Sequence, residues 1–438
     1  MRAHNQLPPE EHQHLRYDET GRIQGGARFL AGPDGKKNAK VGVLYPNENF
    51  HYDEAGNLLH EDWAHAGGYV KNNRILLYED KQFAWDGFGR LKEKKTGNHT
   101  VQRFEYDSEH RLIKVAIESS PNGHSIVEFE YDPLGRRTAK SSRKIEKING
   151  QTTLGEEKRT QFVWDGMRLL WDEDNFWQGL YIYADGYEPL AKVETDLRAR
   201  LAARLRGERP PEITSLPGRI LYYNNDVNGA PEEMTDAQGQ EVWSITYRAW
   251  GNALKETYGQ REETKQNIRF QGQYLDRETG LHYNTFRYYD PDVGRFTTED
   301  PIGIRGGLNL YQYADNPIAW IDPWGWCSVK KGQTIIPGSK VRRIRPGTNG
   351  KTIIIGRNMK DRVIPSGKKI GAEHWEGFDS SLSKDANLAN NRKWIEGKIA
   401  EGYSVVDIGL DPAFASQGKM AKGPYYRMET EVAFGTKR

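Results

Sequence analysis

At 438 residues the chain is longer than one ordinary domain and long enough to bury a sizeable core. Hydrophobic content of 36% is low, yet 23 Tyr, 12 Trp and 46 Gly describe an aromatic-rich, turn-rich β protein and exclude wholesale disorder; one cysteine excludes an intrachain disulfide and a cysteine-based zinc cluster. The net charge of +2 conceals a division: residues 327–438 hold 21 Lys and Arg against 11 Asp and Glu, a net of +10, which leaves 42 against 50, or −8, for residues 1–326. The two parts are therefore built for different partners, and the basic one suits a polyanion.

Residues 1–194 carry a repeat. An aromatic-Asp pair recurs at Tyr17-Asp18, Tyr52-Asp53, Trp85-Asp86, Tyr106-Asp107, Tyr131-Asp132 and Trp164-Asp165, in steps of 35, 33, 21, 25 and 33 residues. Most pairs are followed by Gly and then Arg or Asn, as in YDETGRI, WDGFGRL and YDPLGRR. Each unit has an alternating approach strand such as Val101–Tyr106, a turn that Asp opens and Gly carries through positive φ, and a return strand. A lone hairpin is marginal, so neighbours must join into one antiparallel sheet. Turn chemistry accounts for these aspartates without a metal.

Residues 195–217 interrupt the array with DLRARLAARLRGERPPE, a short Arg/Leu helix ending at Pro210-Pro211 and bridging two sheet segments. The β pattern resumes over 218–326, through Leu221-Tyr-Tyr-Asn-Asn-Asp-Val-Asn-Gly-Ala-Pro231 and Gln273-Tyr-Leu-Asp-Arg-Glu-Thr-Gly-Leu-His-Tyr-Asn, and ends in DPIGIRGGLNLYQYADNPIAWIDPWGW at Trp326. Asp300 and Asp322 each begin an Asp-Pro-x-Gly turn, 22 residues apart, and Asp290-Pro291 is a third Asp-Pro pair. Taken alone, these are turn starters.

Over residues 15–326 this constellation resembles the C-terminal part of the Rhs/YD-repeat family. The resemblance implies a β-strand shell, of which this chain holds the last part, followed by a variable C-terminal toxin. It also implies that Asp300 and Asp322 form an aspartic-type pair, one holding a proton while the other activates water, and cut the bond Trp326-Cys327. Further implications are a role in interbacterial competition and a cognate immunity protein. Since no run reaches the roughly 18 to 20 apolar residues of a membrane span and the start Met-Arg-Ala-His-Asn is no signal peptide, export from the producer's cytoplasm into target cells would use a dedicated apparatus such as type VI secretion, with components of the VgrG/chaperone type.

Residues 327–438 read as a small α/β or α+β domain. Thr352–Ile355 and Val405–Gly409 are short buried strands, Asp361–Ile370 is helix-like, Leu388–Glu401 is a helix stopped by Gly402, and Tyr425–Phe434 is a further strand. Polar residues the core does not need are candidate toxin groups: Asp407, Asp411, Glu429, His374 and Asp361 for chemistry, Arg357 and Arg392 for substrate binding. Cys327, just past the seam, reads as an incidental thiol. A nuclease on RNA or DNA uses the +10 charge to grip phosphates, with Mg²⁺ if an acid cluster does the work; a single His in the domain excludes a two-His ribonuclease. An ADP-ribosyltransferase with NAD as substrate is the alternative, since Glu429-Thr430-Glu431 resembles that family's E-x-E strand and Arg357 or one of Arg342–Arg345 could hold NAD. A fragment with an inert tail is the third reading. No metal ligand set is assigned.

Overall fold

The turn that closes each repeat is the unit from which the molecule is built. In the computed structural model, Asp132 Oδ1 accepts the amides of Leu134 and Arg136 at 2.9 and 3.0 Å, and Oδ2 takes Arg136 Nε at 2.7 Å. Gly135 supplies the left-handed residue at φ +81°. Asp18, Asp86 and Asp107 repeat this bonding with Arg22, Arg90 and Arg111; Asp53 uses Asn57. In the Asp107 turn His110 takes the left-handed place at φ 63°, which its polar ring tolerates.

The arginine also ties one turn to the next. Arg90 lies over the Tyr106 ring at 4.8 Å and Arg111 over Tyr131 at 5.3 Å. Tyr106, Tyr131 and Trp164 in turn donate to the carbonyls of Leu91, Leu112 and Arg137, each at the start of the preceding return strand. Aspartate, glycine, arginine and aromatic are thus one linked device.

The structure describes residues 11–30, 48–59, 69–120, 122–148, 151–184, 186–259, 266–303, 308–326, 328–330, 343–345, 351–355, 373–375, 380–407, 428 and 432. The chain divides into two compact units, Met1–Lys331 and Gly332–Arg438. Among the described residues no helix is long and apolar enough to cross a membrane.

In the first unit, strands from Leu77–Tyr78 to Ala253–Tyr258 form one 16-stranded antiparallel sheet in sequence order, with Gln151–Leu154 as a side branch on Arg137–Ile148. The helix α1 (Arg198–Leu205) and a turn of 3₁₀ helix at Ile213–Ser215 lie in the connection between the paired strands Pro189–Asp196 and Gly218–Asn225. The expected insertion is therefore the long loop of an ordinary hairpin.

Alternation puts Phe104, Val115, Val127, Phe129, Phe162, Tyr181 and Leu221 on one buried face of this sheet. Against it packs a four-stranded sheet, Tyr274–Leu275, His282–Asn284, Arg287–Asp290 and Arg295–Phe296. Leu281, Tyr283 and Tyr288 join the cluster of Val115 and Phe129, and Tyr274 joins that of Phe162. Each such side chain, fully buried, stabilises the fold by about 1.5–3 kcal/mol. Ion pairs fix the register between the two layers: Arg137 with Asp276, both fully buried, and Lys94 with Asp290 at 2.7 Å. The smaller sheet, held on both faces, is the platform for the seam.

In the second unit, Ser404–Asp407 is the middle strand, antiparallel to Arg343–Arg345 and parallel to Thr352–Ile355. The helix α2 (Lys384–Ala400) starts at Ser383, whose hydroxyl accepts the Ala386 amide at 3.2 Å, and turns at Gly402 (φ 83°). Ile395 packs with Ile353, Ile355, Tyr403 and Val405. The Arg343–Arg345 strand was not expected from the sequence. Of the expected strand Tyr425–Phe434, only Met428 and Val432 are described, both helical, and the rest lies outside the described residues.

Candidate functional site

Both Asp-Pro-x-Gly turns fold as the repeat turns do. Asp300 Oδ1 accepts the Ile302 amide at 2.9 Å, its carbonyl accepts Gly303 at 2.8 Å, and Gly303 has φ +59°. Asp322 Oδ1 accepts the Trp326 amide at 3.0 Å, and Gly325 has φ +67°. A Cβ at Gly325 would meet the Asn284 carbonyl oxygen at 2.8 Å, so glycine there lets the turn lie against the small sheet.

These turns point their second carboxylate oxygens at one group. Arg287 Nη2 is 3.3 Å from Asp300 Oδ2 and 3.3 Å from Asp322 Oδ2. The two oxygens are thus at most twice that distance apart. Asp322 is 1% exposed, Arg287 2% and Asp300 9%. Arg287 is itself fixed, donating from Nε to the Gly325 carbonyl and from Nη1 to the Leu310 carbonyl at 3.0 Å, with its guanidinium 3.6 Å over the Phe296 ring. Asn284 Nδ2 donates to the Asp322 carbonyl at 2.8 Å.

Trp326 is held by its main chain on Asp322 and by its ring, which stacks on Phe286 at 4.3 Å and 17°. Its carbonyl carbon, about 2.5 Å from its own nitrogen by standard geometry, lies within about 5.5 Å of Asp322 Oδ1. The structure therefore brings Asp300, Asp322 and the N-terminal side of the Trp326-Cys327 bond together; Cys327 lies outside the described residues. The third pair does not join them: Asp290 bonds Lys94.

Sequence reasoning missed Arg287, Phe286 and Asn284. The signal for the arginine was a cation in the all-buried strand Arg287–Asp290, since a buried cation requires buried anions.

Of the toxin candidates, Asp411, Glu429, Arg357 and Asp361 lie outside the described residues. Asp407 ends the middle strand, in register with Arg343 and Ile355. His374 is half-buried beside Glu373, which bridges to Ile353. Arg392 pairs with Glu396 at 3.1 Å on the exposed side of α2. Unforeseen is a cluster of Glu373, Lys398 and Tyr403: Lys398 Nζ is 2.6 Å from Glu373 Oε2, and Tyr403 donates to Glu373 Oε1 at 2.8 Å. The Lys398 and Tyr403 hydrogen bonds hold the Glu373 carboxyl below its usual range, and Glu373 raises Lys398.

A family model described as RHS protein matches residues 220–257. The chain is 39% identical to "Double-stranded DNA deaminase toxin A" of Burkholderia cenocepacia, over 84% of this chain and 26% of that protein. It is 29% identical to "Toxin protein Tse5" of Pseudomonas aeruginosa, over 71% and 23%, and 26% identical to "Probable deoxyribonuclease RhsB" of Dickeya dadantii, over 90% and 25%. The chain thus spans about a quarter of the length of these relatives. With that sequence shared over most of its length, and with a sheet assembled from aromatic-Asp turns, the chain belongs to the Rhs family.

Proposed function

We propose that this chain is the C-terminal part of an Rhs-type toxin, in which Asp300 and Asp322 cut the chain after Trp326 and free a basic nuclease. The convergence of both carboxylates on Arg287, with Asp322 also on the Trp326 amide, carries this reading. Two aspartates and one arginine, taken out of water together, hold a net charge of −1 if both acids ionise, and one shared proton makes the set neutral. The ionised carboxylate then takes a proton from water as its oxygen attacks the Trp326 carbonyl carbon. The protonated one delivers its proton to the Cys327 nitrogen as the C–N bond breaks, leaving a Trp326 carboxylic acid and a Cys327 amine, with one proton again on the pair. The bond is four residues from Asp322, so no encounter has to be arranged.

Intact mass and N-terminal sequencing of the purified chain test this. Wild type is expected as two fragments divided at Trp326-Cys327, and Asp300→Asn and Asp322→Asn as whole chains; an uncut wild type, or cut variants, refutes it.

For the released part, nuclease is the reading best supported. The +10 charge suits a phosphate backbone. Relatedness to the deoxyribonuclease-named protein covers 90% of 438 residues, about 394, so at least about 63 of them lie beyond Lys331. The alternative, an ADP-ribosyltransferase, needs Glu429 and Glu431, which lie outside the described residues. Expression of residues 327–438 in bacteria is expected to arrest growth with degraded RNA or DNA on gels, and an acidic immunity protein is the partner expected to relieve it. Intact nucleic acid with falling NAD would favour the alternative.

A further inference from the structure

Both sides of the Trp326-Cys327 bond are tied to the first unit. On the N-terminal side the Trp326 ring lies on Phe286 and near Trp324, and Asp322 accepts the Trp326 amide. On the other side the chain is paired through its backbone. Val329–Lys330 runs antiparallel to Trp320–Ile321, with Ile321 opposite Val329 and Trp320 opposite Lys330. The first compact unit accordingly extends to Lys331, beyond the bond. The bond therefore lies in the loop of a short hairpin whose return strand belongs to the segment to be released, and Asp322 is the first residue of that loop.

We infer that the unit recognises the released side of its own cleavage site through the backbone of residues 329 and 330. This rests on the self-cleavage reading above. Ladder hydrogen bonds use N–H and C=O groups that every residue but proline possesses. Pairing on both sides limits the loop's freedom and presents the carbonyl to the carboxylates, where a misplacement of about 1 Å costs about 100-fold in rate. Any sequence can follow the bond as long as it can add a strand here. The relatives named for different activities, a DNA deaminase and a deoxyribonuclease, are consistent with such tolerance.

The test uses the full-length chain and follows cleavage over time by intact mass. The double variant Val329→Ala/Lys330→Ala keeps both amides and is expected to cut at the wild-type rate. Val329→Pro/Lys330→Pro removes them and is expected to cut at least tenfold more slowly. Gly332→Pro/Gln333→Pro, beyond the pair, is expected to cut like wild type, and thermal melts of all variants confirm that the large sheet is intact. Fast cutting by the 329/330 proline variant, or slow cutting by the alanine variant, overturns the inference while leaving self-cleavage standing. An uncut wild type removes both.

Discussion

Arg287 is the residue on which the seam turns. One nitrogen meets both aspartates, while Nε and Nη1 hold the main chain of Gly325 and Leu310. A lysine has one point of charge and no planar fork, so it can face the carboxylates or hold the loop but not both. Arg287→Lys is expected to slow self-cleavage more than tenfold, measured by intact mass. Arg287→Met, which leaves both acids without that cation, should in addition destabilise the first unit by about 3–5 kcal/mol in denaturant titration. Asp300 and Asp322 were legible because an Asp-Pro-x-Gly turn announces itself within four residues. Arg287 was not, because its meaning lies in partners 13 and 35 positions later in the chain.

At the scale of elements, the repeat turns were legible down to the left-handed glycine, since their chemistry is local. The packing of Tyr274–Phe296 on the large sheet was not, since it depends on contacts such as Arg137 to Asp276 that no short pattern encodes. The turn aspartates also make acid stability predictable. Burial raises the carboxyls of Asp86, Asp107 and Asp132, but the amide and guanidinium of the following arginine outweigh it and leave each below its ordinary range. A folded value below the unfolded one, about 3.9, gives stability that is present above pH 4 and is lost as pH falls through the folded value. Asp132→Asn keeps the Oδ1 acceptor and loses the charged pair with Arg136, so a cost of about 1 kcal/mol is expected at neutral pH. Melts from pH 7 to pH 2 should show the gap between variant and wild type closing below pH 4; a gap that widens contradicts the assignment.

For the molecule as a whole, the charge division of −8 and +10 was plain from composition and coincides closely with the boundary at Lys331. The internal order of the basic unit was less legible. Its arginine-rich entry is a strand, and its buried helix face includes Asn387 and Asn391, which no apolar periodicity marks. If the basic unit grips phosphates, binding of residues 327–438 to a nucleic acid duplex should fall steeply and linearly in log–log terms with salt. Fluorescence anisotropy between 50 and 200 mM salt, about a 10³-fold or greater loss being typical for six or more contacts, measures this; residues 1–326 should not bind. Salt-insensitive binding would separate the charge from the function.

The arginines that leave the Asp86 and Asp107 turns to lie on the following aromatic have one more effect. Along the row of turns the repeats overlap as roof tiles do, each resting on the one after it. Such an array has a direction. A unit removed from its upstream end uncovers an aromatic ring whose own hairpin is otherwise intact, whereas a unit deleted from the middle strands a guanidinium between an aspartate and a gap, and the courses on either side must slide to meet. Growth by adding whole units at the upstream end therefore asks nothing new of the seam downstream.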